Sequence, residues 1–314
     1  MKKNLNIPVL LFCALLVSLF FAGCTKKDNS VTPATNVAST QAQRIGSTAP
    51  ADPAIAYVSN NNLMVMNADG SNQTVIVSGG AGAPSWSPEA HSIVFTRAGG
   101  LWIVDVSVVN GVSTGSNLHR IPFTLSGTQG SPSWSPAGDL IAFTNASAGS
   151  EYDRNIYTIS PAGGTPAIVY TSANGLSPRQ PDWSPDGSKI VFSEATDASP
   201  YQWNLLVFDR STSQLTEVIP LSSSIAVKAS AWSRNGDRIA YSNGNGSPEA
   251  IYTVAPTANA TPVKVIDGAF PTWSPGDLKL AFNGNKPAGI YSYTFSTGTR
   301  QKLADGTWAD WRRF

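Results

Sequence analysis

The sequence predicts an all-β protein, a six-bladed β-propeller, and three observations carry that reading. Tryptophans recur at Trp86, Trp134, Trp183, Trp232, Trp273 and Trp311, at intervals of 48, 49, 49, 41 and 38 residues. Seven residues after each of the first five stands an apolar triplet, from Ile93-Val94-Phe95 to Leu280-Ala281-Phe282. The two ends of the array hold complementary fractions of one unit. Self-similarity at a period of roughly 20–50 residues marks a repeat architecture, and four short strands per unit with aromatic and Pro-Gly punctuation mark propeller blades.

Each unit reads as a four-stranded antiparallel meander. A first strand ends at the tryptophan, and a tight turn such as Pro136-Ala137-Gly138-Asp139 or Pro185-Asp186-Gly187-Ser188 follows. Proline presets φ there and glycine accepts positive φ. The apolar triplet is the second strand. Leu101-Trp102-Ile103, Ile156-Tyr157-Thr158, Leu205-Leu206-Val207, Ile251-Tyr252-Thr253 and Ile290-Tyr291-Ser292 are the third, and segments such as Ala167-Ile168-Val169-Tyr170 are the fourth. The repeated tryptophans belong between neighbouring blades, where each buries about 150–250 Å². In a meander the first and third turns share one face, which reads as uniformly tight. The second turns and the blade connections share the other, which varies.

The termini complete the ring. Ile55-Ala56-Tyr57, Leu63-Met64-Val65 and Thr74-Val75-Ile76 match the second, third and fourth strands, with no tryptophan strand before them. Ala309-Asp310-Trp311 supplies the missing first strand. This 3+1 closure removes the open sheet edges that otherwise template aggregation. It places the propeller at residues 54–314, with about 44 residues per blade.

The unit is most complete at Pro181 to Ser193, PDWSPDGSKIVFS. It resembles the WD40-like repeat of the TolB-type six-bladed propellers, and the resemblance covers nearly all of residues 54–314. It implies a docking surface for another envelope protein and no catalytic residue. The family's namesake carries an extra N-terminal α/β domain, whereas only the tether of residues 24–53 is expected before the propeller here.

Residues 1–23 read as a secretory signal, with Lys2 and Lys3 ahead of an apolar run from Ile7 to Ala22 that is shorter than the ~20 residues of a spanning helix. Phe21-Ala22-Gly23-Cys24 resembles the lipobox of bacterial lipoproteins, which makes Cys24 the acylated residue. Thr25 stands where an inner-membrane retention signal resembles Asp, so an outer-membrane lipoprotein facing the periplasm or the cell surface is expected. Residues 24–53 hold no aromatic side chain and form a disordered tether, spanning roughly 30 Å as a flexible coil.

Composition narrows the chemistry. Once residues 1–23 are removed, Cys24 is the sole cysteine, which excludes disulfides and thiolate sites in the domain. His91 and His119 are too few for a multi-histidine metal centre. The removed segment carries two lysines and no acid, leaving 19 basic against 20 acidic side chains and no basic field for nucleic acid. No Asp box or D-x-D-x-D-G loop occurs. A monomer without cofactor or metal, tied to the membrane by its lipid alone, is expected.

Function is sought where the repeat breaks, because loops on a rigid scaffold tolerate insertion. The two longest second turns are neighbours. Residues 145–155 hold Glu151, Tyr152, Asp153 and Arg154, and residues 194–204 hold Glu194, Asp197, Tyr201 and Trp203. The connection between their blades adds Arg179 and Asp182. Aromatics beside carboxylates and arginine suit a partner protein or a sugar. A non-enzymatic docking module is therefore expected, with a carbohydrate-binding or carbohydrate-cleaving lipoprotein as the alternative. Glu151 and Glu194 are the acid pair that glycoside cleavage would use.

Overall fold

The computed structural model describes residues 53–149, 153–172, 176–196, 202–222, 224–244 and 248–313. Twenty-four strands form six four-stranded antiparallel sheets, each a meander, arranged as the blades of a propeller. In the closing sheet the C-terminal strand Thr307–Trp311 pairs antiparallel with Ile55–Ser59, with Ile55 opposite Trp311 and Ala56 opposite Asp310. The expected 3+1 closure is thus present, built from the expected residues.

The hydrophobic core is six separate clusters, each made by two adjacent blades. One joins Val191, Leu205 and Val207 to Trp232 and Ile239. The next seam joins Ala240 and Ile251 to Trp273 and Phe282. Every repeated tryptophan lies in the cluster shared with the preceding blade, and none is more than 5% exposed. The triplet splits its side chains between two seams, as strand alternation requires. Val191 faces one cluster while Ile190 and Phe192 face the one before it.

The serine after each of the first five repeated tryptophans has its own task. Ser87, Ser135, Ser184, Ser233 and Ser274 are all buried, and each hydroxyl accepts the backbone N–H five residues on, at 2.9–3.1 Å. That bond ties the two ends of the first turn together. Within it, Gly187 adopts φ 71°, which a side chain would strain.

One seam-level hydrogen bond recurs around the ring. The innermost strand has no neighbour on its channel side, so its N–H groups need other acceptors. The residue before each tryptophan supplies them to the next blade. Ser85 accepts the Trp134 N–H at 3.1 Å, Asp182 that of Trp232 at 2.8 Å, Thr272 that of Trp311 at 3.2 Å, and Asp310 that of Trp86 at 2.8 Å. At the two remaining seams the indole N–H replaces the backbone donor. Trp183 Nε1 donates to the Ser133 carbonyl at 3.0 Å and Trp273 Nε1 to that of Ala231 at 3.1 Å.

The face expected to be uniformly tight carries one projection. Gly100–Val109 and Val112–Arg120 form the longest third hairpin, whose tip exposes Val109 and Val112. Asn110 and Gly111 both adopt positive φ, so the turn itself is a two-residue type that leaves the strands free to extend.

Seam packing sets a direct expectation for stability. Trp183→Ala should cost about 3–5 kcal/mol in equilibrium denaturation, since it opens a cavity between two blades. Trp203→Ala, on a half-buried indole outside the seams, should cost less than about 1 kcal/mol. Equal losses for the two variants would contradict the seam assignment.

Candidate functional site

The site is built by an irregularity that every blade shares. In each innermost strand the register against the second strand shifts a few residues before the tryptophan, as between Gly82 and Ser85, Arg179 and Asp182, or Ala269 and Thr272. The residue three before the tryptophan adopts positive φ in five blades: Ala83, Ser131, Gln180, Phe270 and Trp308, between 40° and 56°. A β-bulge re-aims its side chain, and the left-handed conformation costs a non-glycine residue about 1–2 kcal/mol. Here all five side chains line the axial channel.

The channel opens on the face of the second turns into a mouth of about 420 Å³. Arg154, Arg179 and Lys228 line it together with Trp203, Phe270 and Trp308, and no carboxylate is among its described lining residues. The Arg179 guanidinium lies over the Trp203 ring, 5.8 Å from its centroid. Phe270 and Trp308 pack on each other with centroids 4.4 Å apart and rings tilted by 55°. Lys228 meets Glu249 at 3.6 Å.

Below the mouth the channel narrows into a cavity of about 120 Å³ with a different charge pattern. Asp182 and Asp310 precede Trp183 and Trp311, and Arg234 and Arg313 stand two residues after Trp232 and Trp311. In four other blades that last position is proline: Pro88, Pro136, Pro185 and Pro275. Arg313, 8% exposed, donates to Asp182 across the ring at 2.9 Å, and Ser133 Oγ donates to the same carboxylate oxygen at 2.9 Å. Arg234 donates to the carbonyls of Trp273 and Trp311 at 3.0 and 2.9 Å. Its backbone N–H and that of Asn235 donate to the buried Asp277 at 2.7 and 2.8 Å.

Burial shapes the titration of this floor. It lowers the Arg234 guanidinium to about 10, with Arg313 adding repulsion and Asp310, Asp182 and Asp277 opposing. It raises the Asp310 carboxyl to about 6, opposed by Arg234, by the Trp86 N–H and by Arg313, and reinforced by Asp182.

The family model of the TolB beta propeller domain matches residues 47–277. The chain belongs to the TolB beta propeller family. Its TolB-type propeller superposes on TolB from Acinetobacter baumannii with a TM-score of 0.64 at 17% identity, covering 84% of this chain and 68% of that one. A putative TolB from Agrobacterium tumefaciens gives 0.59 at 16% identity, covering 82% and 92%. A chain of a nidogen/laminin complex gives 0.63 at 7% identity, covering 82% and 97%. At these identities the likeness is one of fold. No curated protein matches the sequence.

Of the residues singled out in the sequence, Arg154, Arg179 and Trp203 meet at the mouth of this TolB-type propeller. Asp153 is exposed beside them. Asp182 lies deeper, in the channel floor. Glu194 belongs to the strand Lys189–Thr196 rather than to a loop, and is only 1% exposed. Burial raises its carboxyl above the usual range, against hydrogen bonds from Ser172, Tyr170 and Asn204. Glu151, Tyr152, Asp197, Tyr201 and Cys24 lie outside the described residues. Lys228, Phe270 and Trp308 were not anticipated. For Phe270 and Trp308 the signal was available: three residues before the tryptophan, the repeat reads Ala83, Ser131, Gln180, Ala229, Phe270 and Trp308, varied chemistry inside a constant frame.

The floor gives a pH expectation. Raised to about 6 from the ordinary 3.8 of an aspartate, Asp310 holds its proton more tightly folded than unfolded. Its contribution to stability is therefore largest below about pH 4 and is lost as pH rises to about 6, on the order of 3 kcal/mol in all. Asp310→Asn keeps an acceptor for the Trp86 N–H and should flatten the pH profile of chemical denaturation between about pH 4 and 7. Parallel profiles for variant and parent would contradict this.

Proposed function

We propose that this protein is an outer-membrane lipoprotein, anchored through Cys24, whose propeller docks a partner protein at the wide mouth of its channel without catalysing a reaction. The observation that carries the reading is the mouth itself. Three cationic and three aromatic side chains converge there on a rigid frame, the composition of a protein-binding hot spot. The bulged backbone that aims Phe270 and Trp308 inward is retained at an energetic cost, as functional sites often are. Family membership supports the docking role by analogy of fold.

Chemistry at the mouth has little support among the described residues. Glu194 is turned into the blade, and Asp182 is committed to Arg313, Ser133 and the Trp232 N–H. The tether and lipid place the domain at a membrane surface, where a docking module needs reach rather than turnover.

The test is capture from solubilised envelopes with tagged, full-length protein. One stoichiometric protein partner is expected, lost in Trp308→Ala and in Arg179→Glu while both variants stay folded. Labelled palmitate should enter the parent and not Cys24→Ser, which should leave the membrane fraction. Capture that survives both mouth variants, or binding confined to a glycan array, would overturn the docking role.

A further inference from the structure

Resting on the docking role just argued, we infer that the mouth receives an acidic, extended peptide segment of the partner, carboxylate side chains on its rim and an apolar side chain against Phe270 and Trp308. The first ground is the sign of the charge. Arg154, Arg179 and Lys228 come from three successive blades and line one concavity that no described carboxylate lines. Glu249 meets Lys228 at 3.6 Å from outside that lining. A concave wall of low dielectric focuses such a field on whatever enters it, whatever local hydrogen bonds hold each cation in place.

The second ground is the separation of charge along the axis. The molecule is close to neutral, with 21 basic and 20 acidic side chains, so the cationic rim is a local arrangement and no consequence of composition. Beneath it, Asp182 and Asp310 face Arg234 and Arg313, closing the floor with balanced charge. The balanced floor adds no net attraction, so an incoming carboxylate gains at the rim, beside Phe270 and Trp308, and not deeper in the channel.

The third ground separates a peptide from a saccharide. Sugar sites offer a bare aromatic face flanked by carboxylates or amides that grip ring hydroxyls. Here Arg179 covers one face of Trp203, and Trp308 is tilted against Phe270. Cationic heads set against partly buried rings suit carboxylates and aliphatic side chains.

Isothermal titration of the full chain with three probes tests this. The probes are an acetylated, amidated peptide of glutamate, leucine and glycine, its lysine counterpart, and a uronic-acid oligomer. The acidic peptide should bind, lose at least about tenfold in affinity between low and moderate salt, and lose a further ~10-fold in Arg179→Glu/Lys228→Glu. The lysine peptide should gain in that variant. The salt dependence stands on the parent protein alone, so a variant that fails to fold leaves the test intact. Equal binding of both peptides, with partner capture still lost in the mouth variants, would overturn the acidic specificity and leave docking standing. Binding of the uronate alone would overturn the peptide assignment. No binding of any probe, with capture indifferent to the mouth, would overturn the inference and the docking role together.

Discussion

A ring of sheets holds only if each innermost strand finds acceptors for N–H groups that have no strand beside them. This protein meets that demand at four seams, where the residue before one tryptophan accepts the backbone N–H of the next, and at the other two an indole N–H bonds the carbonyl at the same place. A buried, unmet donor costs about 1–3 kcal/mol, so six unmet seams would outweigh the typical stability of a domain. The hydrophobic clusters depend on the same geometry, because each indole must sit at the height where its own strand is pinned. The pairing of Ile55–Ser59 with Thr307–Trp311 makes the sixth seam possible.

What was legible in the sequence is what the repeat states several times. The tryptophans, the apolar triplets and the Pro-Gly turns recur at fixed offsets because each solves an identical packing problem, and both termini could be placed from them. The positions that define the channel were obscure for the opposite reason. Ser85, Ser133, Asp182, Ala231, Thr272 and Asp310 share one structural place with different chemistry, so self-similarity hides them. The same holds for Arg234 and Arg313, which stand where four blades have proline. Glu194 illustrates a boundary effect. It follows the triplet and looks like the start of a loop, yet the strand continues to Thr196 and turns the carboxyl inward.

The channel divides the labour between its ends. At the floor, Arg313 reaches from the closing blade to Asp182 in the blade opposite, a pairing that braces the ring and seals it. Breaking such a buried pair on one side costs about 3–5 kcal/mol, because the surviving charge is left without its partner. At the mouth the bulges open the backbone and present side chains that differ from blade to blade. A constant frame and a variable rim together explain how one repeat serves both stability and recognition.

Hydrogen–deuterium exchange on the full-length protein, alone and with its captured partner, tests this division most directly. The account predicts new protection in the segments around Ser131, Lys228, Phe270 and Trp308, and none at the Val109–Val112 hairpin tip on the opposite face. Protection confined to that tip, with the mouth unchanged, would contradict it.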